Sequence, residues 1–333
     1  MKAVGYSKRH MMTLLSRLSF GIRGEGRDSI FCAFGVQGAA GFLVTFWNFW
    51  AGGTVFLGWA PEVTWQVISQ HRIARIEGSP AQYRDMLRSS DPSMFDLSSL
   101  RLAVTAGSVI PPKLVYDIRS KLCATLLNVY GSTEAGLVSL GLALPGDPFG
   151  SSGRVTPWVK AEVVDENDRV LPAGQEGMLR FNCEDMPHAY MNDPRANELH
   201  FRGKWFYSGD MGTISSDRIL TLSGRSSEHL NAGGVKVSPF TIENHVAAFP
   251  GISECAVFGA SDEFGLESIY AAVVADGPVD IPALQAYCAS ALGAKAPTNF
   301  LQMPALPRNA AGKVSRADLA QIASAQTRKG IGH

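Results

Sequence analysis

The chain has 333 residues, which at roughly 150 residues per domain predicts about two domains and leaves ample length for a sizeable core. Hydrophobic residues make up 46% and charged residues 18%, a globular mix rather than that of a disordered chain, and 30 Lys and Arg balance 30 Asp and Glu, so no broad electrostatic nucleic-acid surface is expected. Five cysteines, Cys32, Cys123, Cys183, Cys255 and Cys288, are odd in number and contain no C-x-x-C pair, which argues against a disulfide scaffold or a cysteine zinc site and favours a reducing cytoplasm.

In chain order, the basic segment 1–18 is not followed by the apolar core and cleavage site of a signal peptide. Between 29 and 61 there is no charged residue. A membrane span needs about 20 apolar residues in one run, and here Gly35, Gly38, Gly41 and the Gly52-Gly53 pair interrupt it, so no stable membrane insertion is expected. The pattern predicts a buried helix over about 36–51 and a core strand over 54–57. Helices follow over 61–70 and 82–89, the latter after the Gly78-Ser79-Pro80 break. A buried strand over 100–105 leads to the loop Ala106-Gly107-Ser108, then a helix over 111–122 and a strand over 125–130. This alternation predicts a parallel sheet with helices on both faces, whose ligands collect beyond the carboxyl ends of the strands.

From Gly150 the texture changes to short strands over 159–164, 177–181, 211–215 and 217–222, an all-β subdomain. Beyond a junction at Gly224-Arg225-Ser226-Ser227 come a helix over 239–249, strands over 255–258 and 269–274, and a helix over 281–291, forming a compact α+β domain. The tail 327–333 is expected to be frayed.

Four segments carry the chemistry. Tyr130-Gly131-Ser132-Thr133-Glu134 follows a strand; a tyrosine can stack on a purine, and a hydroxyl beside a carboxylate can hold a phosphate and its Mg²⁺. The plainer reading is a strand end with Ser132 or Thr133 capping the following N–H groups. Trp205-Phe206-Tyr207-Ser208-Gly209-Asp210 places a carboxylate after a glycine turn, suited to a ribose diol, or simply a β-turn. Arg225, with Gly233-Gly234 and Lys236 beyond it, puts a fixed cation and a permissive backbone at a domain junction, or forms a solvated hinge and hairpin. Lys313, on the glycine-containing loop 306–316, can bridge a carboxylate and a phosphate during attack, or is a basic surface residue. No G-x-S-x-G elbow, H-E-x-x-H pair or phosphate-loop signature is present.

In this order and spacing, over nearly the whole chain, the four segments resemble the adenylate-forming superfamily of acyl-CoA synthetases, luciferases and carrier-loading adenylation domains. The resemblance implies an α/β fold: part of a large domain with a mixed, largely parallel sheet over 1–222, including the β subdomain at about 150–222, then a small mobile α+β domain over 223–333. It implies an ATP-dependent acyl- or aryl-CoA ligase that acts on a small carboxylic acid through an acyl-adenylate, with ATP, Mg²⁺ and CoA. Gly107 and Ser108 would line the adenine site with Tyr130, Gly131 and Ser132; Thr133 would contact phosphate and Glu134 would bind Mg²⁺. Asp210 would hold the ribose, aided by Arg225. Lys313 would catalyse adenylation, Gly234 would line the thiol path, and Lys236 is a weaker phosphate candidate.

The sequence departs from the family pattern at four places. Lys2 aligns with the lysine that ends the family's phosphate loop, so that loop and what precedes it are expected to be missing. Gly35 stands where a histidine or aromatic gate is frequent, Ser208 replaces a threonine, and Ser227 occupies the hinge position. Two other readings stay open: an adenylation enzyme loading an acyl carrier protein, and a non-catalytic remnant that binds nucleotide or a partner chain.

Overall fold

A computed structural model describes residues 2–22, 28–58, 60–184, 186–228, 230–232, 235–261, 267–275, 277–308 and 314–330. The chain divides into two compact units, Met1–Leu222 and Ser223–His333.

The first unit opens with β1 (Ala3–Val4) and α1 (Lys8–Gly21), followed by β2 (Ser29–Cys32), α2 (Ala39–Trp50), β3 (Thr54–Leu57), α3 (Thr64–Gln70), β4 (Arg75–Gly78), α4 (Pro80–Ser89), β5 (Leu102–Ala106), α5 (Pro112–Lys121) and β6 (Leu126–Ser132). Strands β3-β2-β4-β5-β6 are parallel neighbours in that order. Alternation along a strand sends successive residues to opposite faces. On β5, Ala103 packs with α3, α4 and α5 through Trp65, Ile68, Tyr83, Met86 and Ile118. Its neighbour Val104 packs instead with α1 and α2 through Leu14, Leu15, Leu18 and Trp47. Both faces are thereby covered, as a parallel sheet requires.

The sheet does not end at β6. It turns antiparallel through β7 (Gly136–Leu142), β8 (Ser151–Val155), β9 (Val159–Val164), β10 (Gly177–Cys183), β11 (Tyr190–Met191, which pairs with β1), β12 (Phe201–Arg202), β13 (Trp205–Ile214) and β14 (Ile219–Arg225). Apart from β11, these strands continue the main sheet in the order β7-β8-β14-β13-β10-β9, with β12 on β13, so the strands expected as an all-β subdomain extend one 12-stranded sheet. The segment is not purely β: α6 (Pro194–His200) interrupts it, started by the Asp193 side chain accepting from Ala196 N at 3.0 Å.

The second unit contains β15 (Leu230–Ala232), β16 (Val235–Val237), α7 (Pro239–Ala247), β17 (Ile252–Ser261), β18 (Glu267–Ala275), α8 (Ile281–Leu292), β19 (Asn299–Gln302) and α9 (Arg316–Gly330). Its three-stranded sheet β17-β18-β19 carries α7 and α8 on one face, through Ile242, Val246, Leu284 and Cys288, and α9 on the other, through Leu319 and Ala323. The tail expected to fray is helical as far as Gly330, and residues 331–333 lie outside the described set. Among the described residues no helix is long and apolar enough to cross a membrane.

Candidate functional site

The expected site residues of the first unit gather at the carboxyl ends of β5 and β6. Ala106 pairs with Val129, so Gly107 and Ser108, which leave β5, lie beside the Tyr130–Glu134 segment that ends β6. Gly107 has φ +93°, a backbone conformation that favours glycine, and Gly107 and Ser108 are both exposed. The three segments Phe34–Gly41, 78–81 and 106–108 follow the neighbouring strands β2, β4 and β5. Ala33 ties the first two together: its N–H donates to Glu77 O at 2.8 Å and its carbonyl accepts from Gln82 Nε2 at 2.5 Å.

Residues 130–134 do not lead into a helix. They form the tip of a β6–β7 hairpin in which Ser132 pairs with Gly136. The approach of the two strands dictates glycine at 131, because a Cβ there would lie 2.3 Å from Gly136 O. Ser132 Oγ accepts from Ala135 N at 3.0 Å, which stiffens the turn carrying Thr133 and Glu134. Asp210, likewise, does not sit in a β-turn. It lies within β13, where Met178 pairs with Met211 but Arg180 pairs with Tyr207, so extra residues including Ser208, Gly209 and Asp210 form a bulge. Gly209 has φ +80° and supplies the kink, and Asp210 N–H donates to Ser208 Oγ at 3.1 Å.

Three tyrosine hydroxyls tie these pieces together. Tyr130 Oη donates to Asp210 Oδ2 at 2.5 Å, joining two predicted site residues that are 80 positions apart. Tyr6 Oη donates to Thr133 O at 2.6 Å, and Tyr190 Oη donates to Glu134 Oε1 at 2.5 Å. Burial, reinforced by Glu134, pushes the Tyr6 phenol up to about 12, and burial and Glu134 push Tyr190 well above its ordinary value, so both stay protonated donors. Lys2 Nζ lies 2.7 Å from His200 Nε2 and 5.0 Å from the Tyr190 ring centroid. Tyr6 and Tyr190 were not anticipated from the sequence. Each acts through a hydroxyl that reaches a turn more than 50 residues away, and no local spacing reports that.

Glu134 suits a single-carboxylate Mg²⁺ site. Its Oε1 is held by Tyr190, and Mg²⁺ commonly takes one or two carboxylates alongside substrate phosphate and water. Among the described residues there is no cluster of three or more His, Cys, Asp or Glu that could form a full protein cage.

In the second unit, Arg225 is exposed at the end of β14, ahead of the turn Ser226–Glu228. Lys236 lies on β16 opposite Asn231. Gly234 and Lys313 lie outside the described residues. The chain on either side of 309–313 is held firmly. Arg308 bridges to Val314, Ser315 N–H donates to Pro307 O at 2.8 Å, and Arg308 pairs with Glu254 at 2.5 Å. Arg316 meets Glu228 at 3.0 Å, Glu243 at 2.8 Å and Val257 O at 2.9 Å, while burial pushes the Glu243 carboxyl up.

Residues 1–186 match the family described as AMP-binding enzyme, and residues 241–313 match the AMP-binding enzyme C-terminal domain. Over 285 residues the chain is 30% identical to the indoleacetate–CoA ligase of Aromatoleum aromaticum, covering 83% of this chain and 56% of that protein. It is 28% identical to a feruloyl-CoA synthase of an Amycolatopsis species, covering 80% and 56%. The chain thus spans about half the length of the curated relatives it matches. Among solved structures, an amide bond synthetase from Marinactinospora thermotolerans superposes with a TM-score of 0.87 at 24% identity, over 96% of this chain and 66% of that one. An anthranilate CoA ligase in complex with anthranoyl-AMP superposes with a TM-score of 0.79 at 26% identity, over 90% and 61%. The mixed sheet with its small second unit is therefore the fold of these enzymes, and the match over 1–186 places the chain in the AMP-binding enzyme family.

Proposed function

We propose that the protein is an ATP-dependent acyl- or aryl-CoA ligase acting through an acyl-adenylate. The observation that supports this reading is the Tyr130–Asp210 hydrogen bond, which brings an aromatic ring and a carboxylate together at the carboxyl edge of the sheet. In this reading the adenine lies against Tyr130 between Gly107-Ser108 and Gly131-Ser132. Asp210 holds the ribose hydroxyls, with Arg225 assisting, and Thr133 contacts phosphate. Glu134 holds Mg²⁺, which when bound offsets the phosphate charge. Lys313 places its ammonium between the attacking carboxylate and the α-phosphate, where negative charge develops. Gly234 lines the path of the CoA thiol, and Lys236 is a secondary phosphate contact. The acid is an apolar acyl or aryl carboxylate, because the segments Phe34–Gly41, 78–81 and 106–108 are small or apolar apart from Gln37. Five scattered cysteines with no C-x-x-C pair favour a reducing cytoplasm.

The two half-reactions test this reading when assayed separately. Lys313→Ala is expected to abolish adenylate formation while sparing thioester formation from supplied acyl-adenylate; an equal fall in both removes Lys313 from its role. Parallel assays with CoA and with a phosphopantetheinylated carrier identify the acceptor. Tight nucleotide binding without turnover assigns a binding role instead.

A further inference from the structure

Among the three tyrosines at the site, Tyr190 reaches Glu134 from a separate segment, and its own position is fixed on every side. The residue is only 4% exposed, and its ring meets Phe201 edge-on at 5.1 Å. Asn197 on α6 grips its backbone from both directions: Oδ1 accepts from Tyr190 N–H at 2.6 Å and Nδ2 donates to Tyr190 O at 3.1 Å. Val4 pairs with it across the β1–β11 ladder. The hydroxyl at the end of this rigid mount lies 2.5 Å from Glu134 Oε1.

We propose that Tyr190 is a positioning residue for Glu134, and that its hydroxyl fixes the rotation of the carboxylate and leaves Oε2 available to a divalent cation that would bind with a nucleoside triphosphate. This rests on Glu134 being the cation-holding carboxylate. An ionised carboxylate offers about four lone-pair sites on two oxygens. A donor fixed on Oε1 selects which of them remain for the cation and removes a rotation that binding would otherwise have to freeze. Groups that orient a metal-binding side chain typically change metal affinity by about 10- to 100-fold when removed.

The test uses the full chain and Mn²⁺ as a paramagnetic probe. Electron paramagnetic resonance reads Mn²⁺ affinity in the presence of ATP, and calorimetry reads ATP affinity in EDTA. Tyr190→Phe keeps the ring and its packing and removes only the hydroxyl. Its Mn²⁺ affinity is expected to fall by about tenfold, with ATP affinity in EDTA unchanged. In a Glu134→Gln background the same substitution is expected to add nothing. Unchanged Mn²⁺ affinity in Tyr190→Phe, alongside loss in Glu134→Gln, overturns the positioning role and leaves the Glu134 reading standing. An equal loss with and without metal also overturns it, because Tyr190 would then only support the fold. Full Mn²⁺ affinity in Glu134→Gln, or no metal-dependent ATP binding by the unaltered protein, overturns the Glu134 reading and the inference with it.

Discussion

Arg75 and Glu77 form an ion pair sealed inside the first unit, and removing one partner is expected to be far worse than removing both. The two side chains are each 1% exposed, with Arg75 Nε 2.9 Å from Glu77 Oε1. Arg75 also lies 3.4 Å from Asn48 Oδ1 and 4.6 Å from the Trp47 ring centroid. Glu77→Leu leaves a guanidinium that cannot shed its proton in an apolar interior. Breaking a buried pair in this way costs about 3–5 kcal/mol, and a unit of this size loses roughly 2–4 °C of melting temperature per kcal/mol, so a fall of about 6–20 °C is expected. Arg75→Met is milder, because burial already raises the Glu77 pKa and the orphaned carboxyl can take up a proton. The double variant Arg75→Met/Glu77→Leu is expected to return to within about 1 kcal/mol of the original protein or to exceed it, since well-packed apolar residues often replace a buried pair without loss. All six tryptophans lie in the first unit, so intrinsic fluorescence during urea or thermal unfolding follows that unit. A double variant as unstable as Glu77→Leu, or a single Glu77→Leu costing under about 1 kcal/mol, refutes the reasoning.

Two further predictions concern thiol ionisation and the path of the acceptor. Burial first, then Glu77, pushes the Cys32 thiol up to about 12. The unfolded chain therefore loses this proton first, so stability is expected to fall as pH rises from about 9 towards 12, and a Cys32→Ala variant should show a shallower alkaline slope in urea titrations. An identical slope removes Cys32 as the cause. Gly234→Leu is expected to slow thioester formation from supplied acyl-adenylate and to leave adenylation intact, because a side chain would obstruct the thiol path; unchanged CoA acylation removes that assignment.

Much of the fold was legible because local signals and tertiary packing agree. The uncharged run 29–61 carries a helix at Ala39–Trp50 and a strand at Thr54–Leu57, close to the expected 36–51 and 54–57. The helix starts late because Gly35 and Gly41 meet backbone to backbone: a Cβ on Gly41 would lie 2.4 Å from Gly35 O. The Gly78-Ser79-Pro80 break is itself a helix start, with Ser79 and Gln82 forming a reciprocal cap around a proline at the first position, so α4 begins at Pro80 and not at 82. The bulge at Asp210 resembled a turn because Gly209 supplies the same positive φ in either setting. Helix α1 escaped notice because its apolar stripe, Leu14, Leu15 and Leu18, is short and set among basic and polar residues. Residues that act by reaching across the fold left no trace in sequence spacing: Tyr6 and Tyr190 at the hairpin tip, and Arg75 opposite Asn48.

The central claim, a nucleotide site built on the Tyr130–Asp210 pair, is tested most directly by calorimetric titration of the protein with a non-hydrolysable acyl-adenylate mimic. Saturable one-to-one binding that weakens by at least tenfold in Asp210→Ala, with folding unchanged, is the expected result, since that substitution removes a charged hydrogen-bonding partner worth about 1.5–3 kcal/mol. No binding by the unaltered protein, or equal binding by Asp210→Ala, would contradict the claim.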